Sequence, residues 1–223
     1  MSMNNKIVLS LISFFSIIGI LMLVGCSNQI KTLSADHVSE KTELYFTGVG
    51  EFKASLSSGE RENPYEYDGV KRDSVDYSLV TLYLTNNAKS VDAEVIINGI
   101  SSVKTFDLDI ITGNYIADLE KRVNADDKIS VKYKGNEVSL DCVSKDFLIN
   151  CDKALEIGLE SFEKEMTKLL SKNNLTAECY LRILDRAENN FSLIYWYFYI
   201  YAQNGTTYSC VITVDKGEII VRN

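Results

Sequence analysis

The run Leu193-Ile194-Tyr195-Trp196-Tyr197-Phe198-Tyr199-Ile200-Tyr201 is apolar or aromatic at every position. Such residues favour β-strands, and a strand turns successive side chains to opposite faces of its sheet. The run therefore predicts a central strand that is buried on at least one face. One face carries Ile194, Trp196, Phe198 and Ile200, and the other, which we call the tyrosine face, carries Tyr195, Tyr197, Tyr199 and Tyr201.

The segments on either side of this run predict a small α+β unit. Upstream, apolar residues recur at spacings of four and three, which places them on one stripe of a helix over about residues 152–172. Asn150 or Asp152 can cap the start of this helix. Alternating runs at 177–183 and 208–214 predict two more strands. We expect the helix to pack on the Trp196 side of an antiparallel β-meander.

This order of elements resembles cystatin-type and PepSY-type domains. The closing residues Val214-Asp215-Lys216-Gly217-Glu218-Ile219 are similar to the hairpin that often ends a PepSY domain. The resemblance covers the C-terminal third of the chain. It implies a role in binding a protein or in restraining a peptidase.

The segment 43–142 has a different pattern, because its apolar residues recur with period two in short runs separated by turn residues. The clearest hairpin runs from Ile129 to Cys142 and turns at Gly135-Asn136. About seven short strands at this spacing predict an antiparallel β-sandwich. The layout resembles the immunoglobulin-like modules of bacterial surface lipoproteins. It lacks the tryptophan and the cysteine pair of a true immunoglobulin domain.

The N-terminus carries an export signal. A nearly charge-free run over residues 7–25 follows Lys6, and it ends at Leu23-Val24-Gly25-Cys26. This tetrapeptide resembles the lipobox of bacterial lipoproteins. The resemblance implies cleavage before Cys26 and a lipid on its thiol, which would anchor the chain to the extracytoplasmic face of the cell membrane, or to the outer membrane where the envelope has two.

These features divide the chain into four predicted parts. Residues 1–25 form the signal peptide and residues 26–42 form a lipidated, flexible tether. Residues 43–148 form the β-sandwich, and residues 149–223 form the α+β domain with its helix on a β-meander.

The net charge and the single histidine argue against several kinds of partner and catalytic site. The net charge of −8 disfavours nucleic acid as a partner. His37 is the only histidine, and it lies in the predicted tether. Histidine-based triads and most zinc sites need a histidine in a formed pocket, so we expect no catalytic residue, metal or cofactor.

Four cysteines remain besides Cys26, and they allow three pairings. A bridge between Cys142 and Cys151 would clamp the junction of the two predicted domains, so we predict that pair. Cys179 and Cys210 would pair only if their strands were neighbours, because one intervening strand separates them by more than the roughly 7 Å that a disulfide spans.

The sequence favours a non-enzymatic lipoprotein of the cell envelope that binds a protein or peptide through the tyrosine face. Exposed aromatic rings of this number form a candidate contact surface, although the other predicted domain could equally cover them. Two alternatives remain open: a small-ligand-binding lipoprotein, and an envelope hydrolase that uses carboxylates or a serine without histidine.

Overall fold

The computed structural model describes residues 34–85, 88–172 and 174–223, so Cys26 and the signal peptide lie outside the described residues. The fold is mostly β, with strands that gather into one twelve-stranded sheet and a separate short pair. The strands are β1 (Val38–Val49), β2 (Lys53–Glu62), β3 (Ser74–Tyr83), β4 (Ser90–Ile97), β5 (Ile100–Leu108), β6 (Tyr115–Asp118), β7 (Ile129–Tyr133), β8 (Asn136–Cys142), β9 (Leu170–Ser171), β10 (Asn174–Leu175), β11 (Ala177–Asp185), β12 (Ile194–Ala202), β13 (Thr207–Thr213) and β14 (Ile219–Arg222). The helices are α1 (Cys151–Ser161) and α2 (Glu163–Lys168).

The first eight strands form a closed antiparallel barrel in the order β1-β2-β3-β6-β5-β4-β7-β8. The barrel closes where β8 returns to β1, at the pairs Phe46 with Cys142 and Thr47 with Asp141. Inward-facing side chains pack into one buried cluster in the interior, as is usual for eight strands. They include Phe46, Leu56, Val80, Phe106, Tyr115 and Val131.

The prediction of a β-sandwich followed by a helix on a separate β-meander is therefore wrong. Alternation along a strand shows which side chains face inward, but it is the same for a strand in a sandwich and for one in a barrel. Closure depends on the pairing of β1 with β8, about a hundred residues apart in the chain. Strands β11–β14 also extend the barrel's own sheet, because β11 pairs with β1.

β1 is the strand that both parts of the sheet share. Its first residues pair with β11 in parallel, from Val38 with Cys179 to Lys41 with Leu181. Its last residues pair with β8, and β2 lies along its other edge throughout. We call the place where β1 leaves β11 and turns toward β8 the fork. β1 begins at Val38, inside the segment 26–42 that was predicted as a tether.

A second core lies between the helices and strands β11–β13. The Asn150 side chain accepts a hydrogen bond from the Lys153 N–H at 2.9 Å and caps α1, which confirms one of the two predicted caps. α1 approaches β12 closely, since a Cβ added to Gly158 would lie 2.4 Å from the Phe198 ring. Buried side chains of this core include Leu159, Phe162, Met166, Trp196, Phe198 and Ile200.

The helical segment is shorter than the sequence predicts and has a break. Phe162 has non-helical backbone angles and separates α1 from α2. α2 ends at Lys168, and the next residues form the short strand β9. Within the described ranges no helix has both the length and the apolar character needed to cross a bilayer.

Candidate functional site

The tyrosine face lies on the side of β12 that carries no helix. All four of its tyrosines are half-buried. Tyr197 and Tyr199 stack with ring centroids 6.1 Å apart, and Tyr199 lies 6.5 Å from Tyr201. On the neighbouring strand, Tyr180 stands opposite Tyr199 and Arg182 stands opposite Tyr197. The face is therefore a continuous aromatic surface with a cation beside it.

The loop between β2 and β3, residues 63–73, covers one end of the tyrosine face. Tyr67 of this loop lies 5.1 Å from Tyr180 and 6.3 Å from Tyr201, measured between ring centroids. Tyr65 meets both Tyr67 and Tyr180 edge-on. Among the described residues, no ring contact joins this loop to Tyr195 or Tyr197 at the other end. The face is thus partly a packed surface and partly open.

Arg182 organises the covered end. Its Nε donates to the Glu40 carboxylate at 2.6 Å, and its guanidinium lies 5.3–5.7 Å from the ring centroids of Tyr65, Tyr67 and Tyr180. Glu40 also accepts hydrogen bonds from the hydroxyls of Tyr65 and Tyr77. A cation surrounded by rings and paired with a carboxylate is held in one position.

Two buried carboxylates hold the 63–73 loop in place. Glu62 accepts hydrogen bonds from the backbone N–H groups of Glu66 and Arg72, near the two ends of the loop. Glu178 accepts from the N–H groups of Asp68 and Gly69 in its middle, at 3.2 and 3.1 Å. Burial and the nearby Glu178 carboxylate raise the pKa of Glu62. The loop conformation therefore depends on buried acceptors that its own N–H groups satisfy.

The phenols near these carboxylates remain neutral donors at physiological pH. Burial, followed by the charge of Glu40, raises the pKa of Tyr67. Burial and the hydrogen bond to Glu178 raise the pKa of Tyr180. A neutral phenol can donate to a carboxylate, whereas a phenolate would repel it.

A cleft of about 1000 Å³ lies between the barrel wall and the end of β11. Its barrel side includes outward-facing residues of β1, β2 and β3, and its other side consists of residues of β11 and the turn that follows. One end meets the 63–73 loop at Tyr65 and Tyr67. The barrel side is rich in hydroxyls, from Ser55, Ser57, Thr81 and Tyr83.

The other end of the cleft is acidic. The Asp185 carboxylate accepts a hydrogen bond from the Tyr83 hydroxyl at 3.1 Å, and burial together with the charge of Glu188 raises the pKa of Asp185 to about 6. The Lys53 ammonium donates to the Ala187 carbonyl at 2.6 Å and so attaches the turn after β11 to the barrel. Glu51 also lines this end.

The structure places the other predicted site residues as follows. Cys26 lies outside the described residues. Cys142 ends β8 and Cys151 begins α1, and both are free thiols in this structure. The Cys142 thiol lies 3.6 Å from the Ser144 hydroxyl, and the Cys151 thiol lies 3.8 Å from Asp152. The predicted bridge would require both thiols to leave these contacts.

Sequence analysis missed the charged residues that position the site, above all Glu178 and Arg182. Both have even numbers in a strand whose odd-numbered residues from Ala177 to Ile183 are apolar, so both face the tyrosine side with Tyr180. The signal in the sequence is the alternation itself, which places Glu178 and Arg182 on either side of Tyr180 on one face of a predicted strand.

The described part of the chain contains no group of three His, Cys, Asp or Glu side chains arranged to hold a metal ion. Comparison of the chain with known protein families, with curated proteins and with solved structures finds no match. The geometry of the tyrosine face and the cleft is therefore the basis for a functional proposal.

Proposed function

We propose that this chain is a lipid-anchored protein of the cell envelope that binds a protein or peptide through the tyrosine face. The observation that carries the proposal is the end of that face that the 63–73 loop does not contact, where Tyr195 and Tyr197 stay half-exposed. Arg182, which stands opposite Tyr197, lies at the boundary between this end and the covered one. Tyrosine and arginine are enriched in the centres of protein interfaces, because both offer a large contact area with polar groups at its edge.

The rigidity of the surface supports the same proposal. Glu62 and Glu178 fix the 63–73 loop from below, and Arg182 fixes the rings of Tyr65 and Tyr67. A surface that is already ordered loses little conformational entropy on binding, so more of the contact energy appears as affinity.

Binding is tested by capture from envelope extracts. The double variant Tyr197→Ser/Tyr199→Ser should lose a partner that the unaltered chain retains. The matched control is Ile100→Ser/Val103→Ser on β5, which removes two apolar side chains of 76% and 69% exposure from the far side of the barrel. Equal capture by all three proteins would contradict the proposal.

The anchor is tested separately at Cys26. We expect Cys26→Ser to abolish incorporation of labelled palmitate and to release the chain from the membrane fraction. Cys151→Ser should retain both the label and the membrane association. A Cys26→Ser chain that still carries palmitate would refute the lipobox interpretation.

The cleft favours a second candidate, the binding of a small ligand. Its volume of about 1000 Å³ is at the upper end of the range for ligand pockets, about 300–1,000 Å³. Equilibrium dialysis of the purified chain against small molecules extracted from envelopes tests this candidate. Retention that Lys53→Ala abolishes and Ile100→Ser leaves unchanged would favour it over the tyrosine face.

A further inference from the structure

β11 is paired along its whole length on one edge and along only half of it on the other. β12 pairs with it from Ala177 to Asp185. On the opposite edge the last pair with β1 is Lys41 with Leu181, because β1 then leaves at the fork. The second half of β11 therefore has an edge that no described strand occupies.

The orientation of the backbone shows which groups this edge offers. The Cys179 N–H donates to the His37 carbonyl at 2.8 Å, on the β1 side. Backbone groups of a strand alternate in direction, so Ile183 and Asp185 turn their N–H and C=O groups to the same side as Cys179. Neither residue has a backbone partner on that side among the described residues. Unpaired strand edges of this kind accept an added strand.

The cleft provides the space for such a strand. Ile183, Leu184 and Asp185 line it on one side, and the short side chains of Ser55 and Ser57 line it on the other. The short hydroxyl side chains leave room beside the barrel wall and can hydrogen-bond to a polar chain.

Tyr45 marks the inner end of this space. Its side chain lies at the fork, lines the cleft and is only 3% exposed. Its hydroxyl is buried and has no hydrogen-bond partner among the described residues. A buried hydroxyl without a partner is costly, so a group entering the cleft from outside would gain a hydrogen bond there.

The charged side chains at the outer end of the cleft determine which peptides it would prefer. Asp185, Glu188 and Glu51 line its outer end together with Lys53. The other two cations of the cleft, Arg61 and Arg182, lie over the Tyr65 ring at the end that meets the 63–73 loop. The Lys53 ammonium is engaged by the Ala187 carbonyl. The acidic side chains at the outer end thus exceed the basic ones, which favours a partner with a Lys or Arg side chain.

We propose that the cleft binds an extended peptide segment, which adds as a strand to the free edge of β11 at Ile183 and Asp185 and places a Lys or Arg side chain beside Asp185 and Glu188. This inference rests on the proposed binding function and specifies its mode. The backbone contacts give affinity for any extended segment, and the acidic end gives preference for a basic residue.

The test starts from a library of random heptapeptides displayed on phage and selected on the full chain in detergent. We expect enriched sequences to lack proline and to contain one Lys or Arg at a fixed position. The enriched peptide is then made with N-methyl groups on alternate backbone nitrogens, which removes donors and keeps every side chain. One of the two alternating sets should weaken binding by about tenfold or more.

The charge preference is tested with matched variants of the protein. Asp185→Asn should weaken binding of the basic peptide about three- to tenfold. Asp107→Asn, on the exposed face of β5, should leave the affinity unchanged. Replacement of the peptide's own basic residue by alanine should make Asp185→Asn and the unaltered protein equal.

The outcomes separate this inference from the proposed function. In one outcome, Tyr197→Ser/Tyr199→Ser loses envelope capture, and either no heptapeptide is enriched or both N-methylated sets bind as well as the unmodified peptide. This outcome would overturn strand addition and leave the tyrosine face as the binding surface. The opposite result has two parts: one N-methylated set abolishes binding of an enriched basic peptide, and the tyrosine variant still captures its partner from envelopes. That result would support the cleft and refute the tyrosine face.

Discussion

The two faces of β12 have similar amino acids and different environments. Trp196, Phe198 and Ile200 are completely buried under α1 and α2, whereas Tyr195, Tyr197 and Tyr199 remain half-exposed. The residues alternate along one strand, so neither backbone position nor strand propensity distinguishes them. The difference comes from the next layer: helices cover one face completely, and the 63–73 loop covers only one end of the other.

The aromatic residues of β12 therefore divide by face into residues that stabilise the fold and candidates for binding. Residues under the helix contribute to the free energy of unfolding through burial. Residues on the tyrosine face bury less area and keep polar hydroxyls near solvent. A change on the first face should therefore affect mainly stability, and a change on the second should affect mainly binding.

The largest expected effect is that of Phe198→Ala. The Phe198 ring is completely buried, stacks on Phe162 at 6.2 Å and touches Gly158 of α1. Its removal leaves a cavity between helix and sheet and should lower the free energy of unfolding by about 3–5 kcal/mol. Urea unfolding followed by the fluorescence of Trp196, the only tryptophan, measures the change. A loss below about 1 kcal/mol would mean that the helix does not depend on this face.

The second prediction concerns the loop that covers one end of the tyrosine face. Glu178→Ala removes the acceptor for the Asp68 and Gly69 N–H groups and for the hydroxyls of Ser39 and Tyr180. Leaving these donors buried without partners should lower the free energy of unfolding by about 2–4 kcal/mol. It should also speed amide hydrogen exchange within residues 63–73.

Glu178→Gln is the matched control, because its carbonyl oxygen can still accept from the loop. It should cost about 1 kcal/mol or less and should leave exchange in the loop slow. If alanine and glutamine had equal effects, the loop would be held by its aromatic contacts instead of by the buried carboxylate.

Sequence-based prediction succeeded where an element depends on local patterns and failed where it depends on contacts between distant parts of the chain. Alternation identified the strands, and the four-and-three spacing identified the helical segment, since both patterns are local. The pairings of β1 with β8 and with β11 join residues about a hundred or more positions apart, and no local pattern encodes them. The barrel was therefore mistaken for a sandwich.

The start of β1 shows a second reason why part of the fold could not be predicted from the sequence. Ser39, Glu40 and Thr42 make the segment polar, so it resembles a solvated tether. In the structure these side chains are buried because each has a partner: Ser39 bonds Glu178, Glu40 bonds Arg182, and Thr42 bonds the Tyr77 hydroxyl. Polarity predicts exposure only when no partner is available, and partners are invisible in a single segment.

The candidate site, like the fold, was predictable only where it depends on a local pattern. Four tyrosines at alternate positions within one strand indicated an aromatic face directly. The covering loop and the cleft depend on contacts between β2, β3 and β11, so no local pattern points to Tyr65 or Tyr67.

The third prediction concerns pH and the cleft. Asp185 has a pKa raised to about 6, above its ordinary value of 3.8, and the groups that act on it are the Tyr83 hydroxyl of β3 and Glu188 of the turn. Between about pH 4 and 6 the folded state binds more protons at this carboxyl than the unfolded state does. Its contribution to the free energy of unfolding is therefore present below pH 4 and is lost as pH rises through about 6.

Asp185→Asn removes this dependence and keeps the hydrogen bond from Tyr83. We expect the variant to be more stable than the unaltered chain by about 1–3 kcal/mol at pH 7 and equal to it at pH 4. Urea unfolding at the two pH values measures the difference. A stability gain that is the same at both would show that the carboxylate charge is not its cause.

The smallest expected effect on stability is that of Tyr197→Ser. Tyr197 is the neighbour of Phe198 in the sequence and faces the opposite side of β12. Tyr197 loses its stacking on Tyr199 and some strand propensity, so the free energy of unfolding should fall by about 1 kcal/mol or less. Tyr197→Phe keeps the ring and should be nearly neutral. A cost for Tyr197→Ser near that of Phe198→Ala would show that the tyrosine face is as fully packed as the helix face, and the tyrosines would then be core residues instead of a binding surface.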